Sequence, residues 1–208
     1  MTDKKDIENK EDIKAQRYKE RQQKVKERID AKIAAATKEQ GVFLVITGNG
    51  KGKSTSGFGM VTRAIGHDKK AAVVQFIKGN WDCGERNLLQ KLEVPFIVMG
   101  TGFTWETQDK ELDRQAAQAA WVEAKKLLQD ESIDMILFDE MTYMINYGHI
   151  DIDEVVEAIA NRPKMQHVII TGRGAHRKLL EAADTVSEVQ SVKHAFESGV
   201  KAQLGFDY

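Results

Sequence analysis

The residues TGNGKGKST, at positions 47–55, are the strongest chemical signal in the chain. A backbone that folds around an anion must point successive N–H groups inward, and Gly48, Gly50 and Gly52 supply that freedom. Lys53 adds a mobile positive charge, and the Ser54 hydroxyl is a ligand for Mg²⁺; Asn49, Lys51 and Thr55 complete the loop. A glycine-rich turn without a ligand is the bland alternative. The GKS order between a strand and a helix with a positive N-terminal end favours phosphate. One departure stands out: the usual motif opens with Gly or Ala five residues before the GK glycine, and here that residue is Thr47.

A second signal supports the first. The run MILFDE ends an apolar strand with Asp139 and Glu140, the pattern that holds Mg²⁺ beside a phosphate loop. Adjacent carboxylates on a strand point to opposite faces, so one of the two faces the metal. A solvated strand end would read the same in isolation; together with the loop, the pair points to an Mg–nucleoside triphosphate.

Other residues are less specific. In MGTGFTWET (99–107), Phe103 and Trp105 either tuck under their loop as local core or line a pocket, with core slightly favoured. QFIKGNWDCGER (75–86) reads as a polar loop with Lys78, Trp81 and Arg86. Arg173 in TGRGAHR (171–177) is placed to meet a phosphate or to pair with a carboxylate. The five histidines show no ligand spacing, which argues against a protein-bound transition metal.

The elements that must position these groups follow from periodicity. VFLVIT (42–47), AAVVQFI (71–77), PFIVMG (95–100), IDMILFDE (133–140) and HVIITG (167–172) read as buried strands, and TVSEVQ (185–190) as a half-exposed edge strand. Helices are expected from Lys53 to Ile65 with a stop at Gly66, over about 110–129, about 153–160 and about 175–183. Apolar strands alternating with helices predict an α/β fold: three layers around a mostly parallel sheet, with strand-to-helix loops along one edge where ligands bind. Residues 1–40 differ in composition: highly charged, without Pro or Gly, with Tyr18, Val25, Ile29 and Ile33 on one narrow helical stripe. The reading is an N-terminal helical extension (1–40), its first dozen residues disordered, ahead of an α/β domain (41–208). A stripe this thin must lie on another surface or stay mobile.

Together, GNGKGKST, VVQFIKG, GERNLL, TGFTWET, FDEMTY, VIITGRG and the ending VKHAF…GVKAQ…GFDY resemble the ATP:cob(I)alamin adenosyltransferases that carry a phosphate loop, from about residue 17 to the C-terminus. The resemblance implies a P-loop NTPase-like homodimer that transfers the 5′-deoxyadenosyl group of ATP to the Co(I) of a corrinoid and releases triphosphate. It also implies that the nucleotide runs through the loop in the sense opposite to hydrolytic NTPases, which Thr47 fits. Phe103 and Trp105 would then cover the lower face of cobalt with side chains that cannot coordinate it. Mg²⁺ (or Mn²⁺) would sit on Ser54 and Glu140, with Asp139 as the alternative, and Arg63 is the candidate adenine contact. The N-terminal helix would be a lid over the corrinoid, and a reduced flavoprotein such as flavodoxin the electron donor.

Composition narrows the alternatives. The 208 residues carry 31 Lys+Arg against 32 Asp+Glu, a net charge of −1, which argues against nucleic-acid or polybasic membrane binding. A hydrophobic share of 41% supports a real core. Cys83 is the single cysteine, and MTDKKDIENK lacks the apolar core of a signal peptide, so a cytoplasmic protein is expected. An ordinary P-loop ATPase or kinase and a RecA-like module for single-stranded nucleic acid are the competing readings.

Overall fold

The structure, a computed structural model, describes residues 3–77, 82–100 and 109–207. The chain divides into two units, Met1–Glu39 and Gln40–Tyr208. The first is one helix, α1 (Asp3–Ala35). It begins well before residue 13, contrary to the expectation of a disordered start. Its opening is rich in Lys and Glu and free of Gly and Pro, so helix propensity carries through. Tyr18, Val25, Ile29 and Ile33 are all exposed.

The second unit is built on six strands: β1 (Phe43–Thr47), β2 (Ala71–Gln75), β3 (Phe96–Val98), β4 (Met135–Asp139), β5 (His167–Thr171) and β6 (Thr185–Glu188). Their order is β3-β2-β4-β5-β1-β6, and every neighbouring pair is parallel. Parallel strands need crossovers, which are supplied by α2 (Lys53–Ile65), α3 (Gly84–Lys91), α4 (Lys110–Gln129), α5 (Met141–Asn146), α6 (Ile152–Ala160) and α7 (Arg177–Ala182). A short 3₁₀ turn spans Ala195–Ser198.

Alternation along the strands sends side chains to two cores. Val45, Val74, Phe138 and Ile170 pack with Trp121, Ala124 and Leu128 of α4 and Leu179 of α7. Ile46, Val73, Leu137 and Ile169 pack with Phe58 and Val61 of α2 and Leu89 of α3. Each fully buried aliphatic or aromatic side chain is worth about 1.5–3 kcal/mol, so both helix layers are locked to the sheet. Ring pairs join the layers: Phe58 stacks on Phe96 at 6.2 Å, and Trp121 meets Phe138 edge-on at 6.0 Å.

Two short helices were not expected from sequence: α3 begins inside the expected loop 75–86, and α5 follows the expected strand 133–140. Helix α3 buries one side chain, Leu89, and α5 has six residues, so neither shows a helical period. Strand β6 is exposed along its whole length rather than on one face. Among the described residues, no helix is long and apolar enough to cross a membrane.

Candidate active site

The carboxyl ends of β1, β4 and β5 meet at one edge of the sheet, where the loops after them surround a cleft of about 520 Å³. Asn49, Gly50, Lys51, Gly52, Lys53, Ser54 and Thr55 form one wall. The loop is pinned from the side of β6: Gly50 N–H donates to the Val189 carbonyl (2.7 Å), and Val189 N–H donates to that of Thr47 (2.8 Å). Gly48 has φ 100°, and a Cβ there would run into the Val189 carbonyl oxygen, so the residue must be glycine. The Thr47 hydroxyl, where small residues are usual, accepts the Ala175 N–H (3.2 Å) and ties the loop to the segment after β5.

Lys53 opens α2 and is only 6% exposed. Its ammonium donates to the Gly50 carbonyl at 2.7 Å. Burial lowers its pKa from the usual 10.5; Glu140 opposes that shift, Arg173 adds to it, and Asp139 opposes it. These four charges therefore share one electrostatic environment.

The two acids at the end of β4 are separated by a sharp change of backbone. Asp139 is fully buried; its Oδ1 accepts the Thr171 hydroxyl (2.7 Å), and its Oδ2 accepts Gln75 Nε2 (3.0 Å). Glu140 has φ 59°, a left-handed conformation costing about 1–3 kcal/mol in a non-glycine residue, and it lines the cleft. Its N–H donates to the same Thr171 oxygen (3.0 Å), so one hydroxyl holds Asp139 in the sheet and fixes the turn that swings Glu140 outward. Beside it, burial and the Glu140 charge push the Tyr143 phenol above its usual range.

The loop after β5 brings in Arg173, which also lines the cleft. Gly172 (φ 138°) leaves no room for a Cβ against the Thr142 hydroxyl. That hydroxyl donates to the Arg173 carbonyl (2.8 Å), and Asn146 Nδ2 donates to that of Gly174 (3.0 Å), stapling the loop onto α5. The C-terminal segment closes another side through His194, Gly205, Phe206 and Asp207. Sequence reasoning missed that wall, because nothing near residue 205 in the chain signals that it packs on residue 51.

Of the residues singled out from sequence, residues 49–55 of the phosphate loop, Glu140 and Arg173 meet here, while Gly48 is not among the residues lining the cleft. Nor is Arg63, which is exposed in the last turn of α2. Phe103 and Trp105, like Lys78 and Trp81, lie outside the described residues.

The donor set can be tested against a divalent cation. With Asp139 engaged by Thr171 and Gln75, the cleft offers the Glu140 carboxylate and the Ser54 hydroxyl, both hard oxygens. That fits Mg²⁺ or Mn²⁺, which take the rest of their shell from phosphate and water. Among the described residues, no group of three or more His, Cys, Asp or Glu converges as a metal site.

A family model described as ATP:corrinoid adenosyltransferase BtuR/CobO/CobP matches residues 39–208. A corrinoid adenosyltransferase of Escherichia coli strain K12 is 58% identical over 193 residues, covering 93% of this chain and 98% of that protein. A corrinoid adenosyltransferase CobA of Salmonella typhimurium is 56% identical with the same coverage. A corrinoid adenosyltransferase of Pseudomonas aeruginosa is 50% identical over 94% of this chain and 97% of its own.

Proposed function

The chain belongs to the ATP:corrinoid adenosyltransferase family, and we propose that the cleft over its phosphate loop is where that reaction runs. The activity is transfer of the adenosyl group of ATP to a corrinoid. The assignment of the site rests on one observation: Lys53, Ser54, Thr55, Glu140 and Arg173 line a single cleft at the carboxyl edge of the sheet.

In this reading the low-valent cobalt of the corrinoid substrate attacks C5′ of ATP. The C5′–O bond breaks, and its electron pair leaves with inorganic triphosphate. Negative charge grows on the leaving group, so the protein's task is to hold fixed positive groups along it. The loop N–H groups and the N-terminal end of α2 cradle the phosphates, while Lys53 and Arg173 add full charges. The triphosphate draws the Lys53 ammonium away from the Gly50 carbonyl, a neutral partner it has to leave. Ser54 and Glu140 would hold Mg²⁺, which adds positive charge against the polyphosphate.

Further roles follow from the family and stand as part of the proposal. The nucleotide lies in the loop in the sense opposite to hydrolytic enzymes, leaving C5′ open to cobalt. Arg63 is the adenine contact, with the nucleotide lying along α2. Phe103 and Trp105 displace the lower cobalt ligand, and α1 covers the corrinoid as a lid. The working form is a cytoplasmic homodimer that takes electrons from a reduced flavoprotein such as flavodoxin.

Incubation with ATP, Mg²⁺ and chemically reduced corrinoid, followed by identification of the inorganic product, tests the reading. Triphosphate in step with adenosylated corrinoid is expected. ADP and phosphate with unmodified corrinoid would overturn it in favour of an ATPase.

A further inference from the structure

The last turn of the chain is organised around one side chain of the phosphate loop. Gly205 (φ 78°) bends the backbone, Asp207 N–H donates to the Gln203 carbonyl (2.8 Å), and Gln203 N–H donates back to Asp207 Oδ2 (2.9 Å). The other carboxylate oxygen, Oδ1, accepts the Lys51 ammonium at 2.6 Å. That ammonium also lies 5.4 Å from the centre of the Phe206 ring. Lys51, Phe206 and Asp207 all line the phosphate cleft.

Among the described residues, apolar burial does not dock this turn, since Leu204 and Phe206 are 75% and 72% exposed. Lys51 therefore spans a sequence separation of 156 residues to hold it. The Lys51 hydrogen bond, seconded by the Gln203 N–H, keeps the Asp207 carboxyl below its usual range, so Asp207 is a carboxylate at neutral pH. Its geometry carries a consequence for an incoming anion. Paired, the two charges cancel at the rim; with Lys51 gone, a bare carboxylate faces the polyphosphate.

Resting on the reading of this cleft as the triphosphate site, we propose that Asp207 is a positioning residue for adenosyl transfer. Through Lys51 and Phe206 it docks the C-terminal turn as a wall of the nucleotide cleft. The Lys51 backbone N–H stays with the phosphates, while its side chain serves the wall.

The test is a mutant cycle in the full-length protein, read by ATP KM, by kcat at saturating ATP and by calorimetric ATP binding. An exposed pair of this kind is individually weak, so Asp207→Asn should raise ATP KM about three- to fivefold with kcat little changed. Asp207→Glu should restore the original KM. Lys51→Ala should raise KM further than Asp207→Asn, and adding Asp207→Asn to it should bring KM back towards the Asp207→Asn level. An unchanged KM in Asp207→Asn, or a double variant whose loss reaches the product of the two single losses, overturns the proposal. Lys53→Ala separates this from the reading of the cleft. If that variant binds ATP and transfers adenosyl normally, the cleft assignment fails; if it is inactive while Asp207→Asn is silent, only the role of Asp207 fails.

Discussion

Lys53 is almost wholly buried, and its hydrogen-bond partner, the Gly50 carbonyl, is neutral. Desolvation disfavours its charged form, while a bound triphosphate restores it. In the range between the depressed pKa of the free enzyme and the ordinary 10.5, ATP binding must therefore take up a proton, and ATP affinity must fall as pH rises. Calorimetry in alkaline buffers of differing ionisation enthalpy reads the uptake directly, and Lys53→Ala should abolish it. That variant should also keep its fold by circular dichroism and lose about 10²–10³-fold in kcat, the usual consequence of removing one donor from a developing anion. The neighbouring acids show how much of such a site a sequence discloses. Two carboxylates ending a strand announce a metal-facing group, yet Thr171, more than thirty residues away, holds Asp139 inward and turns Glu140 out.

Among the elements, α1 presents the least ordinary surface: 33 residues whose Tyr18, Val25, Ile29 and Ile33 are exposed on a narrow stripe. Such a helix gains little by itself, and the proposed lid role would use that marginality. Deletion of residues 1–33 should raise corrinoid KM more than ATP KM; an equal change in both would leave the helix no lid role. The segment carrying Phe103 and Trp105 belongs to the same scale. If it displaces the lower cobalt ligand, Phe103→His or Trp105→Ala should impair adenosylation of Co(II) corrinoid supplied with a reductase. Chemically pre-reduced Co(I) should still react, and parallel losses in both assays would refute the role. Strands and long helices were legible because their periodicity is local, with α2 and α4 falling on the expected residues. Helices α3 and α5 were not, since one bears a single buried apolar residue and the other is under two turns.

For the whole molecule, two buried histidines oppose protonation and so contribute to the loss of stability in mild acid. His149 is 4% exposed and His167 Nδ1 accepts the Val42 N–H at 3.0 Å, and burial is the leading cause that lowers both pKa values from 6.5. The unfolded chain therefore binds more protons below 6.5, so stability is lost as pH falls through that value towards the folded pKa values. Thermal unfolding should show a midpoint that declines between about pH 7 and about pH 5, and His167→Gln should flatten the decline. A midpoint independent of pH over that range would mean that neither ring resists protonation. What the amino-acid order determined unaided is the chemistry that rests on chain neighbours: glycines and lysine in one loop, apolar runs that demand a two-sided sheet, and acids closing a strand. What only folding decided is who stands opposite whom. The Thr47 hydroxyl meets Ala175, Arg173 enters the cleft on a loop stapled by Thr142, and Asp207 reaches Lys51. Each joins residues far apart in the chain, and such meetings exist only once strand order has brought the loops to one edge.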